Sequence, residues 1–463
     1  MPKTKKLKTL SLYLIALPLF TACASTQWSA PPVTTPVAWE AAATDGELAS
    51  ADAFWQAFDD PGLAALIARA RASNADVASA VLRLKQAGYA LEQAQLDRLP
   101  DVSASGRISA NRDLRRDQSL GESYNASLSM SYELDLWGRL ADQESAARWR
   151  QGATAADLEG VRVSLEANTA SLYWQLALNN AQVALAERDL DSARKTFALV
   201  ESRYKAGTVS GLDIAQARRA VSQQESTLAA SQQTRNATRR ALALLFDVPP
   251  ETGLDTTPTL PRANLPEVPA GLPSQLLARR PDLAASEARL KASFADNEAK
   301  RKSWLPTLSL TGSVGSSSSS LVDVLSNPVA ALGAGLALPF IQWNEREVAL
   351  KTDRADYELA VIAHRQTIYR ALGEVEDALD ARTRLTGDTA RLVAQRDDAA
   401  TAERLTGVRY RAGAVAFDTW LSAQDTLRAA ERTLLQHDYE RATNLATLYK
   451  ALGGAPLPLM KDD

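Results

Sequence analysis

The chain has 463 residues, 46% of them hydrophobic and 23% charged, with 52 basic against 55 acidic side chains and a formal charge of -3. Without the first 22 residues, which hold four lysines, 48 basic face 55 acidic residues, a balance that argues against nucleic acid as a partner. One cysteine excludes an intrachain disulfide, and the length allows two or three ordinary domains.

Lys3, Lys5, Lys6 and Lys8 precede an apolar run from Leu10 to Phe20, and Thr21, Ala22 and Cys23 follow. Residues 1–22 read as a secretory signal, too short to span a membrane. The site resembles a bacterial lipobox with Phe20 where leucine is usual, which makes Cys23 the lipidation residue; Ala22-Cys23-Ala24 also fits an ordinary signal-cleavage site. Ala24 rather than Asp after the cysteine resembles the sorting signal for the outer membrane. Residues 23–60 then form a lipidated tether, rich in Ser, Thr and Pro between Ser25 and Pro36, and the start of a collar. No later segment has eighteen consecutive apolar residues, so any membrane crossing must use strands.

Residues 72–207 recur without insertion as 278–413, at a constant offset of 206 residues that pairs Asp76 with Asp282, Leu99 with Leu305, Gly106 with Gly312, Trp137 with Trp343 and Gly207 with Gly413. Two copies are too few for a solenoid, so they should pack side by side in one architecture. The expected fold is mainly α with a small β part: repeat 1 over 61–247, a proline-rich collar linker over 248–272, repeat 2 over 273–453 and a tail over 454–463.

In repeat 1, Leu63 to Asp97 reads as one helix that Pro100 ends. The pattern then switches to period two, and a hairpin is predicted over 101–137, in which Tyr124, Ala126, Leu128, Met130, Tyr132, Leu134 and Leu136 alternate with polar residues. Repeat 2 has a helix from 273 and a hairpin over 306–342, with a serine-rich loop at 316–320 and Leu332, Ala334, Leu336, Leu338 and Phe340 alternating. Such hairpins suit either a soluble sheet packed on helices or membrane barrel strands. Trp137 and Trp343, at the ends of the second strands, and Trp304 beside the same rim favour a membrane-interface girdle. Four strands cannot close a barrel in lipid, so strands in lipid require an oligomer, with eight strands in a dimer or twelve in a trimer.

Long proline-free helices are predicted over 139–206 and 343–412, and helices of that length reach roughly 100 Å. Leu176, Val183, Leu190, Phe197 and Tyr204 recur every seven residues, and Leu172, Ala186, Ala193 and Val200 fill the complementary positions, with Asn179 the polar exception. This is coiled-coil packing. Each rod ends in Arg-Tyr-x-x-Gly, at Arg203, Tyr204 and Gly207 and at Arg409, Tyr410 and Gly413, and the returning helices span 212–246 and 417–452.

The lipobox, the doubled helix-hairpin-helix unit, the stretch from Tyr132 to Arg139 and the paired Arg-Tyr-x-x-Gly tips together resemble the TolC-like outer-membrane efflux channels, especially the lipoprotein branch of OprM and NodT type. The resemblance implies a homotrimer with a twelve-stranded barrel in outer-membrane lipid and a helical tunnel across the periplasm. It also implies a periplasmic adaptor protein and an inner-membrane transporter of the RND type as partners. In that family polar contacts near the tips hold the inner end shut. Asp213 matches an acidic partner in such a lock and Tyr410 a tyrosine partner, while Arg203 and Arg409 equally suit plain helix-end chemistry. Val415 stands where the family places an arginine or aspartate, and Thr419 and Ser422 where it places inward acids; Asp418 lies one residue from the expected site. A hydrophobic constriction is the alternative to a polar lock.

The implied function is a passive export duct in a tripartite efflux system. The alternatives are the exit duct of type I secretion and a periplasmic adaptor lipoprotein, although an adaptor needs one hairpin flanked by β-rich domains. Nothing suggests an enzyme, a cofactor or a metal. His364 and His437 lie in predicted helices without Cys or HExxH company, no P-loop or GxGxxG joins a strand to a helix, and Gly312-Ser313-Val314-Gly315 lacks nucleophile-elbow spacing.

Overall fold

The computed structural model describes residues 28–40, 51–112, 121–252, 258–261, 265–266, 268–271, 273, 276, 279–323, 326 and 328–454. Cys23, the signal, the hairpin loop over 113–120 and the tail beyond 454 lie outside the described residues. In chain order the elements are α1 (Ala51–Gln56), α2 (Pro61–Ser73), α3 (Ala75–Leu96), β1 (Asp101–Asn111), β2 (Gly121–Leu134), α4 (Arg139–Lys205) and α5 (Gly211–Leu244). There follow α6 (Pro281–Lys302), β3 (Thr307–Ser318), β4 (Pro328–Ala337), a 3-10 turn (Pro339–Ile341), α7 (Trp343–Arg411) and α8 (Phe417–Ala451). No described helix is long and apolar enough to cross a membrane.

Three local expectations need correction. The helix expected over 63–97 is two helices, because Asn74 caps the second: its Oδ1 accepts from the Asp76 and Val77 amides at 3.0 and 3.1 Å, and its Nδ2 donates to the Leu245 carbonyl at 2.9 Å. Asparagine competes for backbone donors and so favours such caps over a helix interior. In repeat 2 the helix expected from 273 is broken likewise: residues 273, 276 and 279 are helical, Arg280 is not, and α6 begins anew at Pro281, proline being suited to a first helical turn. The fourth strand stops at Ala337, because Pro339 has no N–H for the ladder. Leu338 therefore follows the strand, Phe340 enters the 3-10 turn, and Trp343 opens α7 instead of ending β4.

The chain divides into two compact units that do not follow the duplication, since each draws on both repeats. One includes 85–153 and 286–365 and contains the strands; the other includes 34–84, 154–285 and the chain from 366 on. In the first unit the strands form one antiparallel sheet in the order β1-β2-β3-β4, and the β2-β3 pairing joins the repeats, from Tyr124 opposite Ser318 to Leu134 opposite Leu308. The serine run expected as a loop is partly strand, since β3 continues to Ser318.

In the second unit, Leu176, Val183, Leu190, Ala186, Ala193 and Val200 are buried along α4, each larger side chain contributing about 2 kcal/mol by leaving water. Asn179, the polar exception, is buried and donates to Thr238 Oγ1 on α5 at 2.8 Å. The seam stops short of Tyr204, which is 47% exposed, against the heptad expectation. Phe54, Trp55 and Phe58 join Trp174 and Tyr449 in an aromatic cluster. The buried Glu166 carboxylate at its centre accepts from Trp55 Nε1, Tyr449 Oη and Arg71 Nε at 3.1, 2.9 and 2.8 Å, which ties α1 and α2 to α4 and α8. Of the collar segments, Trp39 donates to the Gly271 carbonyl at 2.8 Å and Arg382 to that of Val268 at 2.9 Å.

Candidate functional site: a two-faced sheet and paired helix ends

The register sorts the sheet into two chemically distinct faces. Directly opposed residues share a face. One face therefore runs from Ala104 through Leu128 to Val314 and Ala330, and in the next row from Met130 through Gly312 to Leu332. The other runs from Ser105 through Ser127 to Gly315 and Val329, and from Ser129 through Ser313 to Ala331. The first is apolar apart from Glu122, Ser316 and Ser318 toward its loop end, and the second is hydroxyl-rich with small side chains. Val102, Ile108, Leu128, Met130 and Val314 are nonetheless exposed, and Leu332 is 93% exposed. Both outer edges, on β1 and β4, lack a neighbouring strand among the described residues. An apolar face and two open edges are costly in water, so the sheet is built to be covered.

The three tryptophans expected at its rim divide. Trp343 is 67% exposed and continues an exposed apolar belt with Leu336, Phe340 and Ile341. Trp137 is half-buried and donates to the Pro306 carbonyl at 2.7 Å, locking the end of the first hairpin to the start of the second. Trp304 is half-buried too, and its indole N–H has no partner among the described residues.

At the other candidate site, in the second unit, the two Arg-Tyr-x-x-Gly ends come together. Gly207 and Gly413 have φ of +71° and +77° and donate to the Tyr204 and Tyr410 carbonyls at 2.9 Å, while the next amides reach back to Arg203 and Arg409. Both rods thus end in the same left-handed stop. Arg203 reaches across to the end of α7, donating to the Tyr410 carbonyl at 3.1 Å and the Arg411 carbonyl at 2.5 Å, with its guanidinium 5.0 Å from the Tyr410 ring centroid. Helix-end chemistry therefore accounts for Arg203 directly. Arg409 is exposed.

Tyr410 is 4% exposed, stacked on Trp420 and packed against Phe417, Val200 and Leu421. Burial pushes its phenol above the ordinary value, the Asp213 carboxylate adds to that, and Arg203 opposes it. Its Oη has no hydrogen-bond partner among the described residues. Asp213 caps α5: its Oδ2 accepts from Ser210 N and Oγ at 2.8 and 2.9 Å, and its own amide donates to Ser210 Oγ. Val415 packs on the apolar cluster, and Asp418 is exposed in the first turn of α8, accepting from Thr419 Oγ1 at 3.2 Å. Tyr410, Arg203, Asp213 and Val415 are thus brought together, while Arg409 and Asp418 face outward.

Trp420 and Gly407 were missed by sequence reasoning. A Cβ on Gly407 would stand 2.8 Å from Trp420 Nε1, so the glycine makes room for the indole, which donates to Glu403 at 2.9 Å. A glycine near the end of a predicted helix, thirteen residues before a tryptophan, was the available signal.

Residues 66–246 and 272–454 match the family described as outer membrane efflux protein. Over 460 residues the chain is 31% identical to the pyoverdine export outer membrane protein OpmQ of Pseudomonas putida, covering 96% of this chain and 98% of that one. It is 28% identical over 467 residues to the probable outer membrane lipoprotein SilC of Salmonella typhimurium, covering 97% and 99%. Among solved structures, the MtrE outer membrane channel of Neisseria gonorrhoeae in its open state superposes with a TM-score of 0.81 at 28% identity, covering 93% of this chain and 97% of that one.

Proposed function

This chain belongs to the outer membrane efflux protein family, and from that premise we propose that it is the outer-membrane channel of a tripartite efflux system. The observation that carries the reading is the sheet with one apolar face, one hydroxyl face and two open edges. A lipid-facing sheet must close, because an edge in hydrocarbon leaves backbone groups unpaired. Three copies give twelve strands around a lumen, with the apolar face to lipid and the hydroxyl face to water. The rods then line a periplasmic tunnel, and the paired tips form its inner mouth.

The periplasmic adaptor and the RND-type transporter are the partners in this reading. A duct without an ATP site takes its energy from them, and adaptor binding opens it by favouring the splayed tips. Tyr410 Oη is buried and unmatched within the single chain, with Asp213 and Arg203 beside it, so it gives a neighbouring copy a hydrogen bond at the closed mouth only when the tip shifts to uncover it. Cys23 carries the lipid anchor. Trp28, five residues later, packs with Trp149 around the Lys291 ammonium at 4.9 and 4.4 Å, which fixes the root of the tether. The exported cargo is set by the pump, since a wide, water-filled lumen selects little.

Native mass spectrometry of the membrane-extracted protein tests the assembly. Three lipidated chains are expected. A monomer in every detergent overturns the channel.

A further inference from the structure

The hydroxyl face of the sheet is almost free of charge. Among its described strand residues the ionisable side chains are Asp101, Arg107 and Glu133. Glu133 is paired with Arg139 at 2.7 Å, and Asp101 begins β1 at the end nearest the helices. Arg107 stands six residues farther along β1, about 20 Å up the strand. It is exposed, flanked along β1 by Ser105 and Ser109 and faced by Asn125, which in turn faces Ser317. Every described strand side chain around it on that face is neutral and small. A guanidinium is a positive charge in a fixed planar fork, and no described strand residue at this level offsets it.

Resting on the channel reading, in which this face lines the lumen, we infer that Arg107 is a charge-selecting residue of the exit barrel. Threefold closure sets three guanidiniums in one ring against a wall of hydroxyls and glycines. The low-dielectric lipid and protein outside the ring focus its field into the water of the lumen. The ring raises the local concentration of anions and lowers that of cations, so solutes bearing carboxylate, sulfate or phosphate groups leave more readily than cationic ones of the same size. The field reaches about 10 Å into the lumen at 0.1 M salt and only about 3 Å at 1 M, so the preference fades with ionic strength.

Reversal potentials of the full-length trimer in planar bilayers under a KCl gradient provide the test, with wild type compared with Arg107→Ser, Arg107→Glu and Arg107→Lys. The chloride-to-potassium permeability ratio is expected to fall roughly threefold in Arg107→Ser near 0.1 M salt and further in Arg107→Glu, with the differences lost near 1 M. Arg107→Lys should keep the wild-type ratio, which a merely structural arginine would not predict. Equal low-salt ratios in wild type, Arg107→Ser and Arg107→Glu overturn the filter and leave the channel standing. Extracted protein that is a monomer in every detergent overturns the channel reading, and the filter with it.

Discussion

At the level of single residues, the two rod ends share a backbone and differ in what they bury. Tyr204 and Tyr410 are equivalent by the offset of 206, yet one is 47% exposed and the other 4%. The difference lies in their neighbours: Phe417 and Trp420 stand where the first repeat has Gly211 and Ile214, so only the second end has an aromatic pocket. If Tyr410 and Asp213 hold the mouth shut between copies, Tyr410→Phe with Asp213→Ala should raise the resting leak conductance in bilayers. Asp213 also caps α5, so Ser210→Ala is the control: it removes the cap, leaves the carboxylate, and should leave the leak at the wild-type level. A leak that rises equally in Ser210→Ala would assign the effect to the cap. In the first unit, Arg98 above all, with Gln95 and Arg148, hydrogen-bonds the buried Glu144 carboxylate and holds its pKa below the ordinary range. A depressed acid contributes in full above its unfolded value of about 4.3 and loses that contribution as pH falls through the folded value. Glu144→Gln should therefore cost about 2 kcal/mol at neutral pH, and its chemical-unfolding midpoint should decline less steeply than wild type below about pH 4.3.

Among the elements, what the sequence displays plainly is whatever depends on period and on proline. The rods run from Arg139 to Lys205 and from Trp343 to Arg411 because nothing within them breaks a helix, and the strands show through their alternation. Breaks made by side-chain contacts are hidden. Asn74 and Arg280 occupy equivalent positions, and each donates to an equivalent carbonyl, Leu245 at 2.9 Å and Ala451 at 2.8 Å. The contact is kept while the residue changes, so comparing the repeats by identity does not reveal it. Arg280 spends its other donors on Asp282 and Glu374, whereas Asn74 uses its carbonyl oxygen to cap α3. Asn74→Ala should consequently cost about 2 kcal/mol, as cap and cross-helix bond go together. Asn74→Asp, which keeps the acceptor and loses the donor, should fall between the two in thermal unfolding. An Asn74→Ala protein as stable as wild type would mean that the break at residue 74 is set by the packing of α2 and α3 and not by the cap.

At the scale of the whole molecule, the duplication and the two-faced strands were legible, while the pairing of β2 with β3 was not, because nothing local in either hairpin names the strand across from it. That pairing turns two hairpins into one sheet with a continuous apolar face, and it converts the choice between a soluble and a membrane sheet into a question of which face tolerates charge. Leu332 and Ser313 lie at neighbouring levels of the same strand pair and on opposite faces, Leu332 opposite Gly312 and Ser313 opposite Ala331. Arginine on the lipid face of a barrel costs about 2–4 kcal/mol near the midplane, whereas a lumen position pays little of this. Closure multiplies the cost by the number of copies in the ring. Leu332→Arg should therefore abolish the detergent-extracted trimer from outer membranes, and Ser313→Arg should leave its yield near wild type. A soluble sheet packed on helices predicts another pattern: Leu332, already 93% exposed in the single chain, would accept arginine without loss. Equal trimer yields from the two variants would thus remove the lipid from the apolar face and reopen the soluble sheet.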